Sequence, residues 1–105
     1  MHNREDFESL FSYGTLQHQE VQLSTFGRTL AGERDALLEY SQTTFGPHLN
    51  VQFTGQVSDS VEGTRFEVTR AELEKADIYE ATADYNRIEV QLKSGRPAWV
   101  YLNSE

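Results

Sequence analysis

The chain contains no cysteine, one tryptophan, two prolines and no long hydrophobic run, and its nine lysines and arginines are outnumbered by seventeen aspartates and glutamates. Each shortage removes a class of protein. Without cysteine there are no disulfides, no thiolate metal ligands and no cysteine nucleophile. The longest apolar stretches are far too short to cross a bilayer as a helix. A formal net charge of −8, with the basic residues scattered, argues against binding nucleic acid through its phosphates, where clustered Lys and Arg supply the affinity. The three histidines, His2, His18 and His48, are far apart and form no H-x-x-x-H spacing, so no metal site is expected. There is no G-x-S-x-G elbow, phosphate loop or dinucleotide fingerprint, and no cofactor is expected.

What remains is a chain of 105 residues, 37% hydrophobic and 25% charged, which fits one soluble globular domain with a modest core. Residues 1–8 are polar and read as a flexible tail, and residues 9–105 as the domain. The polar start predicts no secretory leader and a cytoplasmic location. The acidic balance keeps a small protein soluble and says little about substrate.

Leu10 to Tyr13 reads as a strand that breaks at Gly14. Glycine there lets the chain turn and present the N–H groups of Gly14, Thr15 and Leu16 on one side, a cradle for a carboxylate or carbonyl oxygen, or an ordinary strand-ending turn. Gln17 to Phe26 places Val21, Leu23 and Phe26 on a partial helical stripe, closed by Gly27 as C-terminal cap. Residues 28–43 are expected to be extended, although Ala36-Leu-Leu-Glu39 also suits a helix. Phe45 to Asn50 reads as a turn around Gly46-Pro47, Val51 to Phe53 as a short extended piece, and residues 55–60 as a loop. Val61 to Val68 alternates as a strand.

Thr69, followed three residues later by Glu72, is a capping box and starts a helix. Three-and-four spacing then puts Leu73, Ala76 and Glu80 on one face. A carboxylate at the end of an apolar stripe loses hydration, which raises its pKa and makes it a stronger base. Glu80 has two plainer readings: exposure at a frayed helix end, or acceptance of a hydrogen bond from a nearby turn. Tyr85 to Leu92 and Ala98 to Leu102 form two strands joined by Lys93 to Pro97, with Gly95 suited to a positive φ. Ala98, Val100 and Leu102 share one face of the last strand, with Trp99 and Tyr101 opposite. A strand that is apolar on both faces implies a curved sheet or small barrel. Tyr13, Tyr79, Tyr85 and Tyr101 can bring phenols near Glu80, or serve as core aromatics.

Taken together, Leu10-Phe-Ser-Tyr-Gly-Thr-Leu16, Val61 to Val68, Ala76-Asp-Ile-Tyr-Glu80, Asp84-Tyr-Asn-Arg87 and Ala98-Trp-Val-Tyr101 resemble the gamma-glutamylcyclotransferase-like family over nearly the whole chain. The resemblance implies an α+β fold, a small mixed β-barrel or strongly curved sheet with flanking short helices. It implies a substrate loop of Tyr13, Gly14, Thr15 and Leu16, cavity-lining aromatics at Tyr85 and Tyr101, and Glu80 as catalytic acid and base. The implied partner is a small γ-glutamyl compound, cyclised to 5-oxoproline with release of an amine or amino acid, and neither nucleic acid nor membrane is implied. The same fold can instead bind a ligand or partner without turnover. Many members carry Leu-Asp before the Tyr-Glu pair and glycine after it, where this chain has Ala76-Asp77 and Ala81, and residues 43–60 form a shorter segment than in members with a long loop there.

Overall fold

Alternating apolar residues build five of the seven strands among the described residues into one mixed sheet. The computed structural model describes residues 7–104, so most of the N-terminal tail expected at 1–8 lies outside the described residues. Strand β1 already begins at Phe7 and runs to Ser12, which corrects the assignment of Phe7 and Glu8 to the tail. It lies antiparallel to β5 (Ser60–Thr69), with Phe7 opposite Thr69 and Ser12 opposite Thr64. On its other side it pairs in parallel with β7 (Pro97–Leu102), Leu10 opposite Trp99. With β2 (Gly32–Leu38) and β6 (Asn86–Gln91) at the edges, the order is β2-β5-β1-β7-β6.

The sheet is curved and does not close into a barrel. Its edges β2 and β6 are not paired. The segment following β6 reaches β2 through the Lys93 N–H on the Ala36 carbonyl, 2.9 Å, and through the Ser94 hydroxyl on Asp35 Oδ2, 2.6 Å. The joining turn uses Gly95 at φ +91°, as its sequence suggested.

Both faces of the sheet are covered. Leu10, Phe66, Val68 and Tyr101 pack with Leu73, Ala76 and Phe26 of the helices into one core, while Phe11, Leu37, Val61, Val100 and Leu102 form a second core with Val51 on the opposite face. This is why β7 is apolar on both sides.

The extended region expected over residues 28–43 is two strands, because the chain kinks at Glu39, whose φ is +70°. The Glu39 carbonyl accepts the amides of Thr54 and Gly55. Beyond the kink, β3 (Tyr40–Phe45) leaves the main sheet and pairs with β4 (His48–Phe53). The turn expected over Phe45 to Asn50 is only Gly46-Pro47; His48, Leu49 and Asn50 are strand, since Phe45 pairs directly with His48.

Helix α1 spans Gln19–Phe26 and ends on left-handed Gly27 as expected, but it starts two residues later than its sequence suggests, after a 3-10 turn at Thr15–Gln17. Its inward face also differs: Leu23 is 52% exposed and Gln22 only 2%. Helix α2 spans Arg70–Ala81 with the capping box in place, Thr69 Oγ1 accepting the Glu72 amide at 3.1 Å and Glu72 Oε1 accepting the Thr69 amide at 2.9 Å. It packs through Leu73 and Ala76. Among the described residues, no helix is long and apolar enough to cross a membrane.

Candidate active site

A cavity of about 180 Å³ opens where the end of β1, the last turn of α2, the start of β6 and the β3–β4 hairpin tip converge. Its walls include Tyr13, Gly14, Thr15 and Leu16 from the loop, Glu80 from α2, and Tyr85 and Tyr101. All seven residues that the family resemblance implied for the site therefore meet in one place, while Tyr79 lies outside the lining. Pro47, His48 and Leu49 of the hairpin tip complete the lining. Their sequence reads as part of one turn over residues 45–50, which is why the spacing alone does not mark these three; the β-prone residues on both sides of Gly46-Pro47 are the signal that a hairpin tip lies there.

The loop is shaped by its partners. The Gly14 amide donates to Ser12 Oγ at 3.2 Å, and the amides of Gln17 and His18 close the 3-10 turn on the Gly14 and Thr15 carbonyls. Among the described residues, the Thr15 and Leu16 amides have no hydrogen-bond acceptor. Of the three N–H groups singled out in the loop, two are therefore open and that of Gly14 is taken. Gly14 has φ −130°, so the turn does not use a left-handed conformation, and a Cβ placed there meets nothing within 4 Å. Buried Gln22 holds the loop from behind: its Nε2 donates to the Leu16 carbonyl at 2.9 Å and its Oε1 accepts the Leu30 amide at 2.8 Å.

Glu80 is not at a frayed end. Its carbonyl accepts the amides of Ala83 at 3.0 Å and Tyr85 at 3.1 Å, and Asp84 turns the chain toward β6 at φ +63°. Ala81, where a glycine is common, is simply the last residue of the helix. The half-buried Glu80 side chain accepts no hydrogen bond from any described residue, which also excludes the turn-bonded reading. Burial pushes its carboxyl from about 4.5 up to about 7.

The surrounding hydroxyls are committed elsewhere. Tyr13 donates to the Tyr101 carbonyl at 2.7 Å, Tyr85 to the Leu49 carbonyl, and Tyr101 to Asp77 Oδ1 at 2.6 Å, with the Leu73 carbonyl at 3.3 Å. Tyr79 shares a 2.8 Å hydrogen bond with Thr15 Oγ1. Burial, with the neighbouring Tyr85 and Glu80, raises the Tyr13 phenol, and burial first, then Asp77, raises that of Tyr101, so both stay protonated. The Tyr85 bond and the Asn50–Asn103 pair, two hydrogen bonds of 2.9 Å, fasten the hairpin over the cavity. Among the described residues, no cluster of three or more His, Asp or Glu could hold a metal ion.

Residues 10–105 match the family model described as gamma-glutamyl cyclotransferase, AIG2-like. The chain belongs to this family. The gamma-glutamyl cyclotransferase, AIG2-like match takes in the loop, Glu80 and both cavity aromatics in one stretch. No curated protein sequence matches the chain. Among solved structures, one from Arabidopsis thaliana shares 21% identity with a TM-score of 0.78 over 96% of this chain and 66% of that one. A structure titled gamma-glutamyl cyclotransferase shares 16% identity, TM-score 0.76, over 95% of this chain and 68% of that one. A human protein shares 18%, TM-score 0.75, over 96% and 69%. At these identities the likeness is one of fold, and the chain spans about two thirds of the length of each.

Proposed function

We propose that the chain is a gamma-glutamylcyclotransferase-type enzyme, in which the α-amine of a γ-glutamyl compound attacks its own γ-carbonyl. The carbon–nitrogen bond that forms closes the five-membered ring of 5-oxoproline; the bond that breaks releases an amine or amino acid. The observation that carries this reading is Glu80, a half-buried carboxyl that accepts no hydrogen bond from any described residue and is raised to about 7, in a cavity whose walls also include Thr15 and Leu16, with amides open among the described residues.

Ring closure is intramolecular, so the site has to fold the glutamyl chain rather than collect two molecules, an ordering worth about 7 kcal/mol or more in favourable models. A cavity of about 180 Å³ is smaller than the roughly 300 Å³ at which drug-sized sites begin, and suits a glutamyl head group whose leaving group extends outward. Glu80 takes a proton from the α-ammonium, freeing the nitrogen lone pair, and later gives that proton to the departing nitrogen. A carboxylate at about 7 does this better than one at 4.5, because base and acid forms are both populated near neutrality. The Thr15 and Leu16 amides hold the oxyanion that develops on the γ-carbonyl. We place the reaction in the cytoplasm, a setting consistent with a chain that has no cysteine.

The test is a panel of γ-glutamyl amines and dipeptides, with 5-oxoproline detected by mass spectrometry. Wild-type protein should release it from at least one compound. Glu80→Gln, which keeps size and a carbonyl but cannot shuttle the proton, should lose about a hundred- to ten-thousand-fold in rate while remaining folded. No turnover across the panel, with ligand binding measurable by calorimetry, would overturn the enzymatic reading in favour of a binding protein.

A further inference from the structure

Glu80 is surrounded by proton donors and receives from none of them. The titratable groups that share its cavity are Tyr13 just after β1, His48 from the hairpin, Tyr85 before β6 and Tyr101 from β7; on its own helix, Asp77 and Tyr79 are neighbours. A donor on the ionised carboxylate would stabilise its charged form and lower its pKa by about one unit per hydrogen bond. What the phenols do with their protons therefore sets how basic Glu80 is.

Tyr101 is the cavity phenol whose acceptor lies on α2, the helix that carries Glu80. Its acceptor, Asp77, lies three residues before Glu80, so both carboxylates lie on the same side of the helix. Asp77 is held in turn from the strands. Arg87 Nε donates to the same Oδ1 at 2.7 Å, the Arg87 guanidinium stacks 4.3 Å from the Trp99 ring, and Trp99 Nε1 donates to Glu8 at 3.0 Å. Such an acceptor is fixed in place and half-neutralised by its arginine. We propose that Asp77 is a positioning residue for the Glu80 carboxylate: it holds the Tyr101 hydroxyl on its own Oδ1 and so keeps the β7 phenol from donating to Glu80.

Relative strengths of acceptor decide what happens when Asp77 is removed. The Tyr101 hydroxyl then has the Leu73 carbonyl, now at 3.3 Å, or the Glu80 carboxylate. A hydrogen bond to an ionised oxygen is about twice as strong as one to a neutral carbonyl, so the phenol turns to Glu80. Burial is what raises the Glu80 carboxyl. Loss of the Asp77 charge is common to Asp77→Ala and to its combination with Tyr101→Phe, so comparing the two isolates the hydroxyl.

Glu80 is titrated by carbon NMR of the glutamate side-chain carboxyls, its resonance identified by its absence in Glu80→Gln. Asp77→Ala should lower the Glu80 pKa by about one unit. Asp77→Ala combined with Tyr101→Phe should restore it, and Asp77→Asn, whose carbonyl is only a neutral acceptor, should lower it in the same direction. The proposal is overturned if Asp77→Ala leaves Glu80 unmoved or if the double variant stays as low as Asp77→Ala. Should Asp77→Ala fail to fold, Tyr101→Phe alone decides: an unchanged Glu80 supports the proposal, and a rise shows that the phenol already donates to it. The kinetic counterpart, a matching shift in the acid limb of kcat/KM, rests on the cyclisation reading. The carboxyl titration needs no turnover, so a protein that makes no 5-oxoproline and a protein in which Asp77 does not act on Glu80 are told apart.

Discussion

At Glu80 the backbone is held twice, by the Ala83 and Tyr85 amides on its carbonyl, while the side chain accepts nothing from the described residues. The consequence for stability has a definite sign. Folded, the carboxyl loses its proton at about 7, against about 4.5 for an ordinary glutamate. Between those values the folded chain holds a proton that the unfolded chain has released, so stability falls as pH rises through this window and the full penalty remains above it. Glu80→Gln removes the penalty. Denaturant melts should show the variant more stable than wild type by about 1–3 kcal/mol at pH 8, with the gain gone at pH 4; an equal gain at both pH values would contradict the shift. The position of Glu80 was legible because three-and-four helix spacing is local. The destinations of the phenolic protons were not, since Tyr13 bonds across 88 residues of sequence and Tyr101 across 24.

Among the elements, α2 was the most legible, because both halves of its capping box lie within four residues of sequence. α1 was less so. Apolar spacing favoured Leu23 as an inward residue, but the carbonyl of Leu16 and the amide of Leu30 face the core side and need polar partners, and Gln22 supplies both. The Gln22 amide ties the 13–16 loop to α1 and to the segment before β2. Gln22→Leu leaves a donor and an acceptor unsatisfied in a buried setting, which should cost about 1–3 kcal/mol in chemical melts. The loosened loop should also raise KM for a γ-glutamyl substrate more than it lowers kcat. Unchanged KM with lowered stability would confine Gln22 to a structural part. The long extended region at 28–43 hid its division for a similar reason: the kink at Glu39 is stabilised by the amides of Thr54 and Gly55, far along the chain.

On the scale of the whole molecule, apolar residues on both faces of β7 are equally compatible with a closed barrel and with a sheet covered on two sides. The molecule takes the second form, its helices over one core and the β3–β4 hairpin over the other. That hairpin brings Pro47, His48 and Leu49 to a site otherwise built from β1, α2, β7 and the start of β6, which gives a short segment a place in the cavity wall. Among the described residues, the fold thereby gathers one carboxylate without a hydrogen-bond donor, two open amides and a set of occupied phenols around a small volume, and the proposed reaction needs that carboxylate as its base. The most direct test is the pH dependence of kcat/KM for whichever γ-glutamyl compound the panel returns. Because Glu80 must be ionised to accept the α-ammonium proton, the acid limb should fall tenfold per pH unit below an apparent pKa of about 7. A rate that stays flat down to pH 5, or an acid limb near the ordinary carboxylate value of about 4.5, would contradict it.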